Sequence, residues 1–269
     1  MRCLASLIAC AFLFTADAHA QWPRSPGSGY VQVSYGNGSA DRAFLANGDR
    51  GTLGSTEQFE EQAVYLYAEL GLVPNLMLVA NAYAKAMDAT TPDETFSNSG
   101  WADAFLYLRY SFLQIGPVVI SPQVGVKLPL GYEVDDVPPL GSSESDLHLH
   151  VLAGASLDPF PGYAAASAGY QVRQGIPENE WRLHAEAGAF LDPRILLRVR
   201  LDRTNSVTNT GEVITTLGIV PEQGFTTVGP GLSLIMHENV QAHLDLRWTV
   251  EGRTTAALTQ FFAGIAYVW

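Results

Sequence analysis

Apolar and polar side chains alternate with a period of two along most of this chain, and that repeat narrows the folds open to it. Residues 240–250 show it best. Val240, Ala242, Leu244, Leu246, Trp248 and Val250 share one parity; Gln241, His243, Asp245, Arg247 and Thr249 share the other. A repeat of two sends neighbours to opposite faces of a sheet, where a helix would mix them. The last nine residues repeat the pattern with Phe261, Ala263, Ile265, Tyr267 and Trp269 on one face. A chain end is ordinarily frayed and polar; this one is expected to be a strand with a strongly apolar face.

Ten further segments alternate in the same way: 29–36, 59–72, 75–87, 101–112, 118–130, 147–157, 163–173, 181–189, 195–201 and 225–236. With 240–250 and 254–269 they predict roughly twelve strands, each of about nine or more residues, enough to cross a bilayer when tilted. After residue 20 there is no run of the roughly 18 apolar residues that a membrane helix needs. A membrane-spanning structure built from these segments is therefore a closed barrel, in which backbone groups pair between strands and no edge meets lipid. Alternation also accounts for the near-neutral average hydropathy.

The connections fall into two classes that alternate. Residues 73–75, 114–117, 158–162, 192–194 and 237–239 are tight and carry Pro, Gly, Asn or Asp, which supply the backbone angles of turns. Residues 37–58, 88–100, 131–145, 174–179 and 205–223 are longer and polar. The connection near Gly252 is short. Short turns on one rim and long loops on the other are the asymmetry of outer-membrane barrels, with turns in the periplasm. An even strand count returns both chain ends to that side. The loops over 37–58 and 205–223 are candidates to fold over the mouth. Aromatic residues near strand ends, namely Tyr35, Tyr110, Phe112, Tyr163, Tyr170, Trp181, Trp248, Tyr267 and Trp269, are expected to form interfacial girdles.

Residues 1–20 carry one basic residue, Arg2, then an apolar stretch through Phe14 and the small-x-small site Ala18-His19-Ala20. They are expected to be a secretory signal peptide cleaved near Ala20, followed by a periplasmic lead-in over 21–28 and a barrel over 29–269. Both cysteines lie in the signal segment, so no disulfide is expected beyond it. The formal net charge of −12 leaves no electrostatic footprint for nucleic acid.

The terminal strand resembles the recognition strand by which outer-membrane barrels are read by their assembly machinery, with Phe261, Ile265, Tyr267 and Trp269 as the assembly signal. A second resemblance lies in the middle of the chain. Gly100, Asp103, Arg109 and Tyr110, then Gly125, Lys127, Pro129 and Gly131, fall on the pattern of the outer-membrane family named for the MetA pathway of phenol degradation. That resemblance implies a channel linked to uptake of aromatic or other hydrophobic compounds. It is carried by this central third, and it marks a scaffold more firmly than a substrate. Read on their own, Asp103, Phe105, Tyr107 and Arg109 share a polar face with Gln123, Gly125 and Lys127 on the next strand. Arg109 and Lys127 are then expected to approach Asp103.

The polar faces hold the residues expected to line a lumen: Asp103, Arg109, Lys127, His148, His150, Arg173, Arg182, Glu186, Arg198, Arg200, Asp202, Asp245 and Arg247. Arginines concentrate on three successive strands. Two arrangements fit them: basic groups facing acids across an open passage, or ion pairs that fill a narrow barrel. His148 and His150 share a face; as a pair they lack a third ligand, and no metal or cofactor is implied. Catalysis needs a nucleophile within reach of an oriented base. His150 and Ser156 are six residues apart, about 20 Å. Ser233 and His243 are placed to meet across a hairpin, but no motif marks them, and no catalytic residue is assigned.

The expectation is a single all-β, up-and-down, transmembrane barrel in the outer membrane, in contact with outer-membrane lipid and the assembly machinery. It would pass a small-molecule solute passively. The alternatives are a structural or adhesive barrel with ligand-binding loops, and a lipid hydrolase.

Overall fold

The computed structural model describes residues 22–133, 135–175, 178–208 and 222–269. The expected signal peptide and most of the 205–223 loop lie outside the described residues. Twelve long strands form the barrel: β1 (Gly29–Ala40), β4 (Gln58–Val73), β5 (Leu76–Thr90), β6 (Thr95–Tyr110), β8 (Val118–Pro129), β9 (Asp146–Ser156), β10 (Gly162–Val172), β11 (Glu180–Asp192), β12 (Ile195–Ser206), β13 (Gly224–His237), β14 (Val240–Arg253) and β16 (Thr259–Val268). Four short strands complete the set: β2 (Ala43–Phe44), β3 (Arg50–Gly51), β7 (Leu113–Ile115) and β15 (Thr255–Ala256).

Every pairing is antiparallel, and among the long strands each, with one exception, joins successive ones. The exception closes the ring. β1 pairs with β16 from Tyr30↔Val268 to Ser39↔Thr259. Just outside that seam the Gly29 and Trp269 backbones exchange two hydrogen bonds, of 3.0 and 3.1 Å. The expected up-and-down barrel is therefore the one observed.

Alternation decides which side chain faces where. Leu244, Leu246, Trp248 and Val250 are exposed on the outside, while Gln241, His243 and Thr249 are buried inside. Phe261, Ile265, Tyr267 and Trp269 are also exposed on the outer surface. This outward band has the composition of a surface that meets hydrocarbon. Of the expected girdle, Tyr35, Tyr110, Phe112, Trp181, Trp248, Tyr267 and Trp269 point outward. Tyr163 does not. It shares parity with inward Ala165, is 3% exposed, and meets Trp22 edge-on at 6.3 Å.

Two departures from the expected boundaries have local causes. The loop expected over 88–100 is mostly strand, since β5 runs to Thr90 and β6 begins at Thr95. Thr90 and Thr95 bond across the pair at 3.2 Å, and the Ser97 hydroxyl donates to Asp88 at 2.5 Å. The ladder continues there with polar pairs outward, such as Asp88↔Ser97, while Ala89 and Met87 are buried inward, so the apolar outer face that marks the other strands is missing. Second, a register shift opposite Ala82 and Ala84 adds one residue to β6. Trp101 therefore points outward, whereas Asp103, of the same parity, is buried inside.

Both mouths are narrowed. At the loop-bearing rim, β2, β3 and β15 form a small sheet. There Ala43 and Leu53 pack with Phe59, Met87, Tyr132 and Leu140, and with Ala256 and Leu258. At the turn-bearing rim, residues 22–28 do not trail away from the barrel. Arg24 enters it and bonds Glu69 at 2.6 Å, and Trp22 packs against Tyr163 and Phe190.

If the outer band meets lipid, Val199→Arg on it should cost about 2–4 kcal/mol, the range for a basic residue near a bilayer midplane. Denaturant unfolding of the lipid-reconstituted protein measures this; an unchanged midpoint would show that Val199 does not face hydrocarbon.

Candidate functional site

The inward faces divide the lumen into two unlike walls. One wall, on β9 to β14, is charged. Lys127 of β8 starts it, lying 2.9 Å from Asp146 and 3.8 Å from Asp103. Arg173 reaches Asp146 at 3.6 Å and Glu180 at 2.7 Å, and Arg182 reaches the other oxygen of Glu180 at 3.1 Å. Farther round, Arg200 pairs with Glu186 at 2.7 Å, Arg198 with Asp245 at 2.9 Å, and His184 with Asp202 at 2.7 Å. The partners sit on the same, neighbouring or next-but-one strands. The arginines are thus paired along the wall, not set against acids on the far side.

The other wall is aromatic. Ring centroids follow one another from Phe262 to Tyr65 (5.7 Å), Tyr83 (5.5 Å), Phe105 (6.1 Å) and Tyr107 (6.3 Å). Beyond Tyr107 the series meets His148 at 5.7 Å and His150 at 6.3 Å. Two glycines let these rings lie flat across intervening strands. A Cβ at Gly36 of β1 would stand 2.8 Å from Phe262 and 2.9 Å from Tyr65. One at Gly125 of β8 would stand 2.1 Å from the Tyr107 ring. Gly125 therefore makes room for a ring.

Between the walls lies a cavity of about 490 Å³, bordered by Tyr67, Tyr107, Arg109, His150, Arg200, Asp202 and Arg247 among others. An adjoining space of about 330 Å³ shares His150, His184, Asp202 and Arg247 and adds Arg182. Both volumes lie in the range of small-molecule sites.

All thirteen expected lining residues belong to the inward sets of the strands or their ends, but the cavities draw on only some of them. Arg109, His150, Arg182, Arg200, Asp202 and Arg247 border open space. Asp103, Lys127, Asp146 and His148 are packed into the wall. Lys127 approaches Asp103 as expected; Arg109 does not. Its register partner is Gln123, to which it donates at 2.8 Å, and its carboxylate is Glu69 at 3.4 Å. Asp103 lies six residues up the strand, about 20 Å away. Asp103 is instead held by the loop over 131–145, since the Tyr132 hydroxyl donates to it at 2.6 Å. Burial, then that bond, pushes the Tyr132 phenol up, so it remains a donor. Glu251, of inward parity, is exposed and pairs with Arg203 at 3.3 Å, because a register shift beside Thr226 and Thr227 turns it out.

Sequence reasoning missed Arg24 and the aromatic wall. Arg24 lies in a proline-containing segment without periodicity. The wall was foreshadowed by Phe105 and Tyr107 at polar parity, where rings on an inward face are out of place in a purely charged lumen. Ser233 and His243 do meet, at 2.8 Å, and the other ring nitrogen faces the Tyr30 hydroxyl at 3.3 Å. Both are 2% exposed and point into the barrel. A lipid in the surrounding bilayer has no access to a serine so placed.

The chain matches no protein-family profile and no curated protein. Solved structures do match. An outer-membrane channel from Pseudomonas putida F1 superposes with a TM-score of 0.75 at 14% identity, covering 94% of this chain and 100% of that one. The β domain of the Bordetella autotransporter Brka gives 0.53 at 12% identity, covering 90% and 100%. The NanC porin gives 0.52 at 7%, covering 88% and 98%. At such identities the likeness is one of fold: this chain has the fold of outer-membrane barrels.

Removing one member of a buried ion cluster leaves charge without compensation. Lys127→Met, which takes the cation from Asp103 and leaves Asp146 with Arg173 alone, should lower stability by about 3–5 kcal/mol. Arg203→Gln, at an exposed pair, should cost about 1 kcal/mol or less. Equilibrium unfolding of both variants in detergent measures the contrast; equal losses would mean that the cluster is hydrated.

Proposed function

We propose that the protein is an outer-membrane channel through which a small solute diffuses passively, with the turn-bearing rim and both described chain ends in the periplasm. The observation that carries this reading is the cavity at the barrel waist, bordered by groups of the charged wall and by Tyr67 and Tyr107. A barrel with only a structural role gains nothing from leaving such a space unfilled. The matched structures include an outer-membrane channel and a porin, which supports the reading. So does the central resemblance to the MetA-pathway family, and the aromatic wall agrees with the aromatic or hydrophobic solutes that this resemblance implies. The exposed aromatic face of β16 is read here as the signal that delivers the chain to the assembly machinery. No enzymatic step is proposed, since the one serine–histidine contact considered is sealed inside the barrel.

A structural or adhesive barrel is the second reading, and the narrowed mouths favour it. Arg24 is the decisive element at the turn-bearing rim. It is held by Glu69, and its guanidinium carbon stands 5.2 Å from the Tyr30 ring centroid. Single-channel recording of the purified protein in planar bilayers separates the two readings. A channel shows discrete conductance steps, and liposomes containing it swell in permeant solutes. Absence of both would overturn the proposal. Arg24→Ala should raise the unit conductance, because Arg109 remains to balance Glu69 while the segment loses its anchor. An unchanged conductance would mean that residues 22–28 do not limit flow.

A further inference from the structure

Among the described residues, one arginine that borders the waist cavity forms no contact ion pair. Arg109 and Arg200, which border the same cavity, each face a carboxylate. Arg247 makes no ion pair among the described residues. Its Nε is buried without a hydrogen-bond partner, and its guanidinium carbon lies 4.6 Å from the Phe262 ring centroid. Asp202, the acid on the same cavity, is engaged by His184 at 2.7 Å. Arg247 also stands where the two walls join, because β14, which bears it, pairs with β16, which bears Phe262.

We infer that this cavity is a binding site for an aromatic carboxylate, its ring against Tyr67 and Tyr107 and its carboxylate on Arg247. The inference rests on the channel reading and adds the chemistry of the solute. Three features argue for it together. Aromatic faces favour a flat ring over an aliphatic chain of equal size through offset or edge contacts. A guanidinium presents a fork that matches the two oxygens of a carboxylate. A neutral ring in the same place would strip water from Arg247 and return no hydrogen bond, which is costly for a charged group. A small aliphatic anion would satisfy Arg247 and leave the aromatic wall wet.

The test uses benzoate, acetate and benzyl alcohol as probes in titration calorimetry of the detergent-solubilised protein. Benzoate should bind about tenfold or more tightly than either of the others, since each lacks one of the two contacts. Arg247→Gln should weaken benzoate by about tenfold or more, and Arg247→Lys should retain part of the affinity, keeping the charge without the fork. Benzoate that binds no better than acetate and benzyl alcohol to the unmodified protein overturns the inference, whatever the variants do. So does benzoate affinity that survives Arg247→Gln. Bilayer recordings with benzoate added separate this from the channel reading. Conductance steps that benzoate leaves unblocked sink the carboxylate site while the channel stands. Benzoate binding without any conductance keeps the site and sinks the channel.

Discussion

Satisfaction of the backbone is the constraint on which everything else in this molecule depends. An unpaired N–H or C=O in hydrocarbon costs several kcal/mol. A sheet can avoid that cost only by joining its first strand to its last. Here the join is the β1–β16 ladder, ten residue pairs long, with the Gly29 and Trp269 backbones paired beyond it. Once the ring is closed, the period of two has no freedom left. One parity meets the surroundings of the barrel and the other meets its interior.

The interior then faces a packing problem that a soluble core does not. Twelve staves enclose more space than one shell of side chains fills and less than the wide lumen of a sixteen-stranded porin. The protein meets this with side chains that lie along the wall. Arg198 reaches over Gly231 to Asp245, and Tyr107 lies over Gly125. Ion pairs line one half and rings the other, leaving a central space. Loops and the segment over 22–28 narrow the two ends. On the proposed channel reading, selectivity comes from the groups that remain uncommitted after the wall has paired itself.

Much of this was legible in the residues. Val240 to Val250 and the last nine residues declare their faces without ambiguity, and so do Leu147, Leu149 and Val151 against Asp146 and His148. The turns are written in Pro, Gly, Asn and Asp. Legibility failed where the strand leaves the apolar band: residues 95–100 pair as strand without the alternation that would reveal it. It failed again at the register shifts, each of which reverses parity with no mark in composition. Trp101 and Glu251 were both turned outward in that way. The pairing of charges was legible only in part. Lys127 and Asp103 lie close along adjacent strands and met as expected, whereas Arg109, at the far end of the same strand, found Glu69.

The amino-acid sequence by itself determined the fold class and the side on which nearly every strand residue sits, because a repeat of two is a local property and closure follows from the demands of the backbone. Only the tertiary structure decided which inward groups touch. Those contacts depend on stagger between strands, on single-residue bulges and on glycines two strands apart, and none of these is encoded within any one segment. Arg24 in the barrel, the unbroken aromatic wall and the placement of Arg247 beside Phe262 exist only once twelve separate strands have been brought to one axis.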